Sequence, residues 1–218
     1  MKKILILITA VLFLPRCQDD CRDINLCTET CDRDSLIVIN ANSPDLRKYV
    51  IRRDSFSWHG HSNAIKSVPD QGEIEWVGNN SISRLPSGEY YLQIANYVDT
   101  SWVDLEYWAN LRERVSVKFN PYNLGVQKIL NENAYVNNHI KNYAIYIRSI
   151  DDYTDASWDI DLSENSYVHV TKVDQKSKIA EGEFDLHFKI REQSKLPGVL
   201  YSDKLRFRCG RFKARIFE

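Results

Sequence analysis

The chain carries almost no excess charge of either sign: its formal net charge is -1. Lys2, Lys3 and Arg16 are the only charged residues among the first 17, so the other 26 bases face all 30 acids. The acidic surplus is confined to residues 18–34, where Asp19, Asp20, Asp23, Glu29, Asp32 and Asp34 outnumber Arg22 and Arg33. From Ser35 onward the charges balance, so there is no basic face of the kind that binds nucleic acid. Long apolar runs are also missing. The longest, Ile4–Leu14, spans eleven residues and is too short to cross a bilayer as a helix. No Gly-x-Ser-x-Gly elbow, Walker loop, Rossmann glycine pattern or His-Glu-x-x-His helix occurs. Internal repeats and low-complexity tracts are absent too, which excludes solenoids and long disordered arrays.

What the N-terminus does contain is an address. Lys2 and Lys3 form a positive start, Ile4–Leu14 an apolar core, and Cys17 follows directly. That order predicts an export signal. Leu14 and Cys17 resemble the signal of a bacterial lipoprotein, although Pro15 and Arg16 stand where small residues are usual. The sequence Cys17-Gln18-Asp19-Asp20 resembles the acidic sorting signal that sends Bacteroidota lipoproteins to the outer face of the outer membrane. The resemblance implies residues 1–17 as signal, lipid on Cys17, residues 18–34 as tether and 35–218 as a single domain. Membrane contact would then run through the acyl chains, and stable anchoring needs more than one of them.

With Cys17 lipidated, four cysteines remain: Cys21, Cys27, Cys31 and Cys209. An even number in an oxidising compartment suits disulfides, and three pairings are open beside free thiols. The spacing Cys21-x5-Cys27-x3-Cys31 lacks the paired CxxC of a structural zinc site, and no metal or other cofactor is expected. Cys209 shares the apolar phase of Leu205 and Phe207, which favours burial over bridging.

The body reads as short strands separated by Gly, Pro, Asn, Asp and Ser, the pattern of an antiparallel sandwich or barrel. Expected strands include Leu36–Ile39, Tyr49–Ile51, Ile74–Val77, Tyr90–Val98 and Trp102–Trp108. Further ones are Arg114–Phe119, Tyr143–Ile150, Trp158–Leu162 and Tyr167–Val173, and a turn is expected at Leu85-Pro86-Ser87-Gly88. Phe184, Leu186, Phe188 and Ile190 alternate with polar residues, giving one buried and one wet face. In the last strand the apolar phase slips between Cys209 and Phe212, which predicts a β-bulge with Gly210 in the strained position. The Asn-rich stretch 121–139 breaks the rhythm and is read as a short helix or a long loop.

Two Gly-x-Phe motifs, Gly182-Glu183-Phe184 and Gly210-Arg211-Phe212, resemble the C-terminal strands of uncharacterised Bacteroidota envelope lipoproteins. The resemblance covers Tyr167–Glu218 and implies a β-sandwich on a lipoprotein, with no catalytic residues to carry over. His59-Gly60-His61 is the one local ligand-like pair, and it reads better as a turn with two exposed histidines. His139, His169 and His187 are isolated and are assigned to wet faces. Trp102, Tyr107 and Trp108 suit either core packing or stacking against a sugar or peptide. The function that follows is a non-enzymatic envelope module binding glycan, peptide or a partner protein. The alternative is a hydrolase of extracellular polymer, whose carboxylates would come from distant strands without a local signature.

Overall fold

The computed structural model describes residues 49–50, 60–98, 111–130, 142–150, 153–193 and 201–218. All of them fall in one compact unit, Cys31–Glu218. They form eleven strands and, among the described residues, no helix. In chain order these are β1 Tyr49–Val50, β2 His61–Val68, β3 Gly72–Arg84, β4 Tyr90–Val98, β5 Leu111–Lys118 and β6 Gly125–Lys128. Then follow β7 Tyr143–Ile150, β8 Tyr153–Ile160, β9 Tyr167–Asp174, β10 Ile179–Gln193 and β11 Lys204–Phe217.

The all-β reading holds, but the sandwich does not. Strands β2-β3-β4-β5-β7-β8-β10-β11 pair in that order, and β11 pairs back onto β2, which closes an antiparallel ring of eight. A sandwich would leave two sheets with open edges, whereas this ring removes them. Closure depends on two long strands. β10 and β11 span 15 and 14 residues, so each can serve different partners along its length. β10 pairs with β9 through Ile179–Asp185 and with β8 through Phe188–Gln193, while β11 runs along its other side. β9 and then β6 extend outward from the ring.

Bulges supply the bend that closure needs. The clearest lies in β11. Phe184 faces Gly210 and Leu186 faces Phe207, so β11 carries one extra residue, and the same shift recurs against β2 between Arg208 and Arg211. Burial follows it: Leu205 and Phe207 point inward before the bulge, and Phe212, Ala214 and Ile216 after it. The location agrees with the phase slip in the sequence, but the residue in the left-handed region is Cys209, with φ of 50°. Gly210 is needed for a different reason, because a Cβ there would overlap the ring of Phe184. The relation is reciprocal. Gly182 sits opposite Phe212, and a Cβ on Gly182 would overlap that ring. The two Gly-x-Phe motifs therefore interlock, each phenyl lying over the other strand's glycine.

The described part of the stretch read as a short helix or a long loop holds no helix. Residues 121–130 form a turn and β6, and the remainder of the stretch to 139 lies outside the described residues. Gly125 adopts φ of 100°, and the Gln127 amide donates to the carbonyls of Asn120 (2.7 Å) and Asn123 (2.9 Å), which ties a turn where a helix would need its own ladder. The turn at Leu85–Gly88 forms as read, with Gly88 donating to the Leu85 carbonyl at 2.8 Å. The expected strands at 36–39 and 102–108 lie outside the described residues.

Candidate functional site

A barrel of eight strands has just enough interior to be filled by side chains. Here Trp76, Tyr146, Trp158, Phe188 and Phe207 fill it, all fully buried. Their rings meet edge-on or tilted, with centroids 4.7 Å apart for Trp76 and Phe207 and 4.8 Å for Tyr146 and Trp158.

Four charges lie inside this aromatic core, each at 0–1% exposure: Lys66, Glu113, Arg148 and Asp155. Strand alternation puts three of them there, and a bulge in β8 supplies the fourth, since Asp155 is the extra residue between Thr154 and Ala156. Lys66 shares the inward phase of Ala64 and Val68 on β2, and Glu113 that of Val115 and Val117 on β5. The Lys66 ammonium donates to both Glu113 oxygens (3.0 and 3.3 Å) and to the Tyr146 hydroxyl (2.9 Å), and Trp76 Nε1 donates to Glu113 Oε2 at 3.1 Å. Arg148 Nε donates to Asp155 Oδ2 at 3.1 Å. The Tyr201 hydroxyl donates to the same oxygen while its ring lies 4.2 Å from the guanidinium carbon. Burial, aided by the bond to Asp155, pushes the Tyr201 phenol up to about 12. These groups are sequestered from solvent and neutralise one another, so their chemistry is cohesive: they tie β2, β3, β5, β7 and β8 across the lumen.

The second constellation opens outward. A groove of about 200 Å³ lies beside β10 and β11, with Ser67, Pro69, Asp161, Glu164, His187, Lys204 and Arg206 among its lining residues. Asp161 begins the turn after β8. Its Oδ1 accepts from the amide and hydroxyl of Ser163 (3.0 and 2.6 Å), and its Oδ2 lies 2.7 Å from the Lys204 ammonium. The bond from Lys204, then those from Ser163, hold its carboxyl down to about 2 against burial. Asp185, just behind, is pushed up by burial but ends below its ordinary range. Arg206 grips it through Nε at 2.8 Å and Nη2 at 2.6 Å, and His187 Nε2 lies 3.3 Å away. The backbone amide of His187 donates to Ser166 Oγ at 2.9 Å, which fixes the groove wall. A second hollow of about 210 Å³ lies at the β3–β4 turn, where Lys118 is buried against Glu89.

Of the residues singled out in the sequence, Cys17, Cys21, Cys27, Cys31, His59, Trp102, Tyr107, Trp108 and His139 lie outside the described residues. His61 is exposed at the start of β2, and no group of three metal-ligating side chains forms among the described residues. His169 and His187 are half-buried. Cys209 is also half-buried, against the burial its phase suggests, because the bulge turns it off the inward row. It is disulfide-bonded, so the expected preference for burial over bridging is corrected. The guanidinium of Arg208, itself gripped by Glu73 at 2.9 and 2.6 Å, lies 3.8 Å from the Cys209 sulfur.

Fold and site together define a class: a closed antiparallel barrel of eight strands whose lumen is filled and ion-paired and whose groove, of mixed polar and apolar lining, faces outward. No family model, curated protein or solved structure matches the chain.

Proposed function

We propose that this chain is a non-enzymatic binding module of the bacterial cell envelope, lipidated on Cys17 and held at the outer face of the outer membrane. In this reading the acidic residues 18–34 act as tether, and the barrel presents its outer surface to glycan, peptide or a partner protein. The resemblance of Cys17–Asp20 and of the Gly-x-Phe strands to envelope lipoproteins supports the address. One structural observation carries the binding role. The lumen charges Lys66, Glu113, Arg148 and Asp155 are buried and already paired, so recognition falls to the surface and rims of the barrel. Trp102, Tyr107 and Trp108 are candidate stacking residues in this role.

The test is a glycan and peptide array probed with the purified chain from Gln18 onward. A defined class of ligand should be retained, and Trp102→Ala or Trp108→Ala should weaken retention of ligands that stack there. Silence across both arrays, together with turnover of a polymer substrate, would replace the reading with the hydrolase.

A further inference from the structure

We propose that the groove beside β10 and β11 seats one ring of a neutral sugar, with Lys204 and Glu164 as its hydrogen-bonding groups. This rests on the binding-module reading and narrows its ligand to glycan. The first argument is size. At about 200 Å³ the groove is smaller than the roughly 300–1,000 Å³ of pockets that enclose drug-sized molecules, so it fits a single ring.

The second argument is charge. Lys204 is paired with Asp161, and Arg206 grips Asp185 with two bonds. Both carboxylates are well covered, their side chains 8% and 11% exposed. An anionic ligand would face the like charges of Asp161, Asp185 and Glu164, and could take Lys204 or Arg206 for itself only by breaking a pair. A cationic ligand would meet the like charges of Lys204 and Arg206 and could take Asp161 or Asp185 only by breaking the same pairs, which leaves the exposed Glu164 as its one partner. Breaking such a pair costs far more than it returns. A neutral polyhydroxyl ring escapes this cost. The Lys204 ammonium has three donors and is half-exposed, so it can give a proton to a sugar oxygen while still bonded to Asp161. The exposed Glu164 carboxylate can accept from a neighbouring hydroxyl, and the exposed Pro69 ring offers apolar surface to the C–H face of the sugar. The Ser163 bonds to Asp161 and the bidentate Arg206–Asp185 pair hold the walls in place before any ligand arrives, which lowers the entropy lost on binding.

The experiment titrates the chain from Gln18 onward with methyl hexopyranosides, glucuronic acid and glucosamine, followed by NMR shifts of the Glu164, His187 and Lys204 amides. Neutral hexosides should bind and the two charged sugars should bind more weakly. Glu164→Ala, which removes no ion pair, and Lys204→Ala should each weaken hexoside binding about tenfold, the worth of one hydrogen bond to a charged group. Tighter binding of either charged sugar would overturn the ligand class, and hexoside binding indifferent to both groove variants would overturn the location. If no sugar binds while the peptide array retains a ligand, the groove proposal falls and the binding-module reading stands. If both arrays are also silent, the two fall together.

Discussion

Gly210 and Phe184 show how one residue's identity can be dictated by another strand. Gly210 has no positive φ to accommodate, so the demand on it is purely steric. Gly210→Ala should destabilise the barrel by about 1–3 kcal/mol through overpacking against Phe184. The same substitution in a Phe184→Leu background should cost less, because the ring it strikes is gone. A urea-denaturation double-mutant cycle reads the difference, and strictly additive effects would mean that the clash is not the cause. Cys209, one position earlier, carries the backbone strain that the sequence pattern assigns to Gly210. A left-handed φ costs an ordinary residue about 1–2 kcal/mol, so here a side chain has been kept in spite of conformational cost.

At the level of elements, the Lys66–Glu113 pair connects strands that are distant along the chain, whereas Arg148–Asp155 joins the two strands of one hairpin. Lys66→Met should destabilise by about 3–5 kcal/mol, because it leaves Glu113 buried without its cation, while Lys66→Met with Glu113→Leu should recover much of the loss. Chemical denaturation of the three variants checks this, and a double variant as unstable as the single would show that the pair contributes more than mutual neutralisation. These same residues explain what could be read beforehand and what could not. β10 and β11 were legible because their apolar residues keep a period of two and break it once. β2 was not, since Ser62, Asn63, Lys66 and Ser67 make it look like loop, and its polar inward residues have meaning only beside β3, β5 and β7. Alternation also reads the same in a sandwich and in a barrel. Closure is decided by β11 meeting both β2 and β10, a long-range pairing with no local signature. The groove was invisible for a similar reason: Asp161, His187 and Lys204 come from three separate segments, and His187 by itself looked like one more wet residue.

For the whole molecule, the carboxylates around the groove set the acid limit of stability. Asp161 is held near 2, and Asp185 and Glu73 are also lowered, the latter first by its bond from Arg208. Unfolded, such groups titrate at roughly 3.9–4.3. The unfolded chain therefore binds protons first as pH falls, so the stabilisation is full above about pH 4.5 and drains away towards pH 2. Melting temperature should fall steeply across that window, and Asp161→Asn should flatten the fall. A slope unchanged by that substitution would remove Asp161 from the account. The proposed address is tested on cells: a fatty-acid analogue should label the wild type and leave Cys17→Ser unlabelled, and equal labelling of both would refute lipidation at that residue. Finally, β11 follows the seven other barrel strands in chain order yet supplies the seam on both of its sides. During synthesis, then, β2 and β10 wait with bare edges until that segment emerges, and those edges are where stray chains can add. A chain cut short before Lys204 would be an open sheet rather than a smaller barrel. The ring thus acts as a test of completeness: only a chain that has delivered β11 can hide its edges from proteases and chaperones.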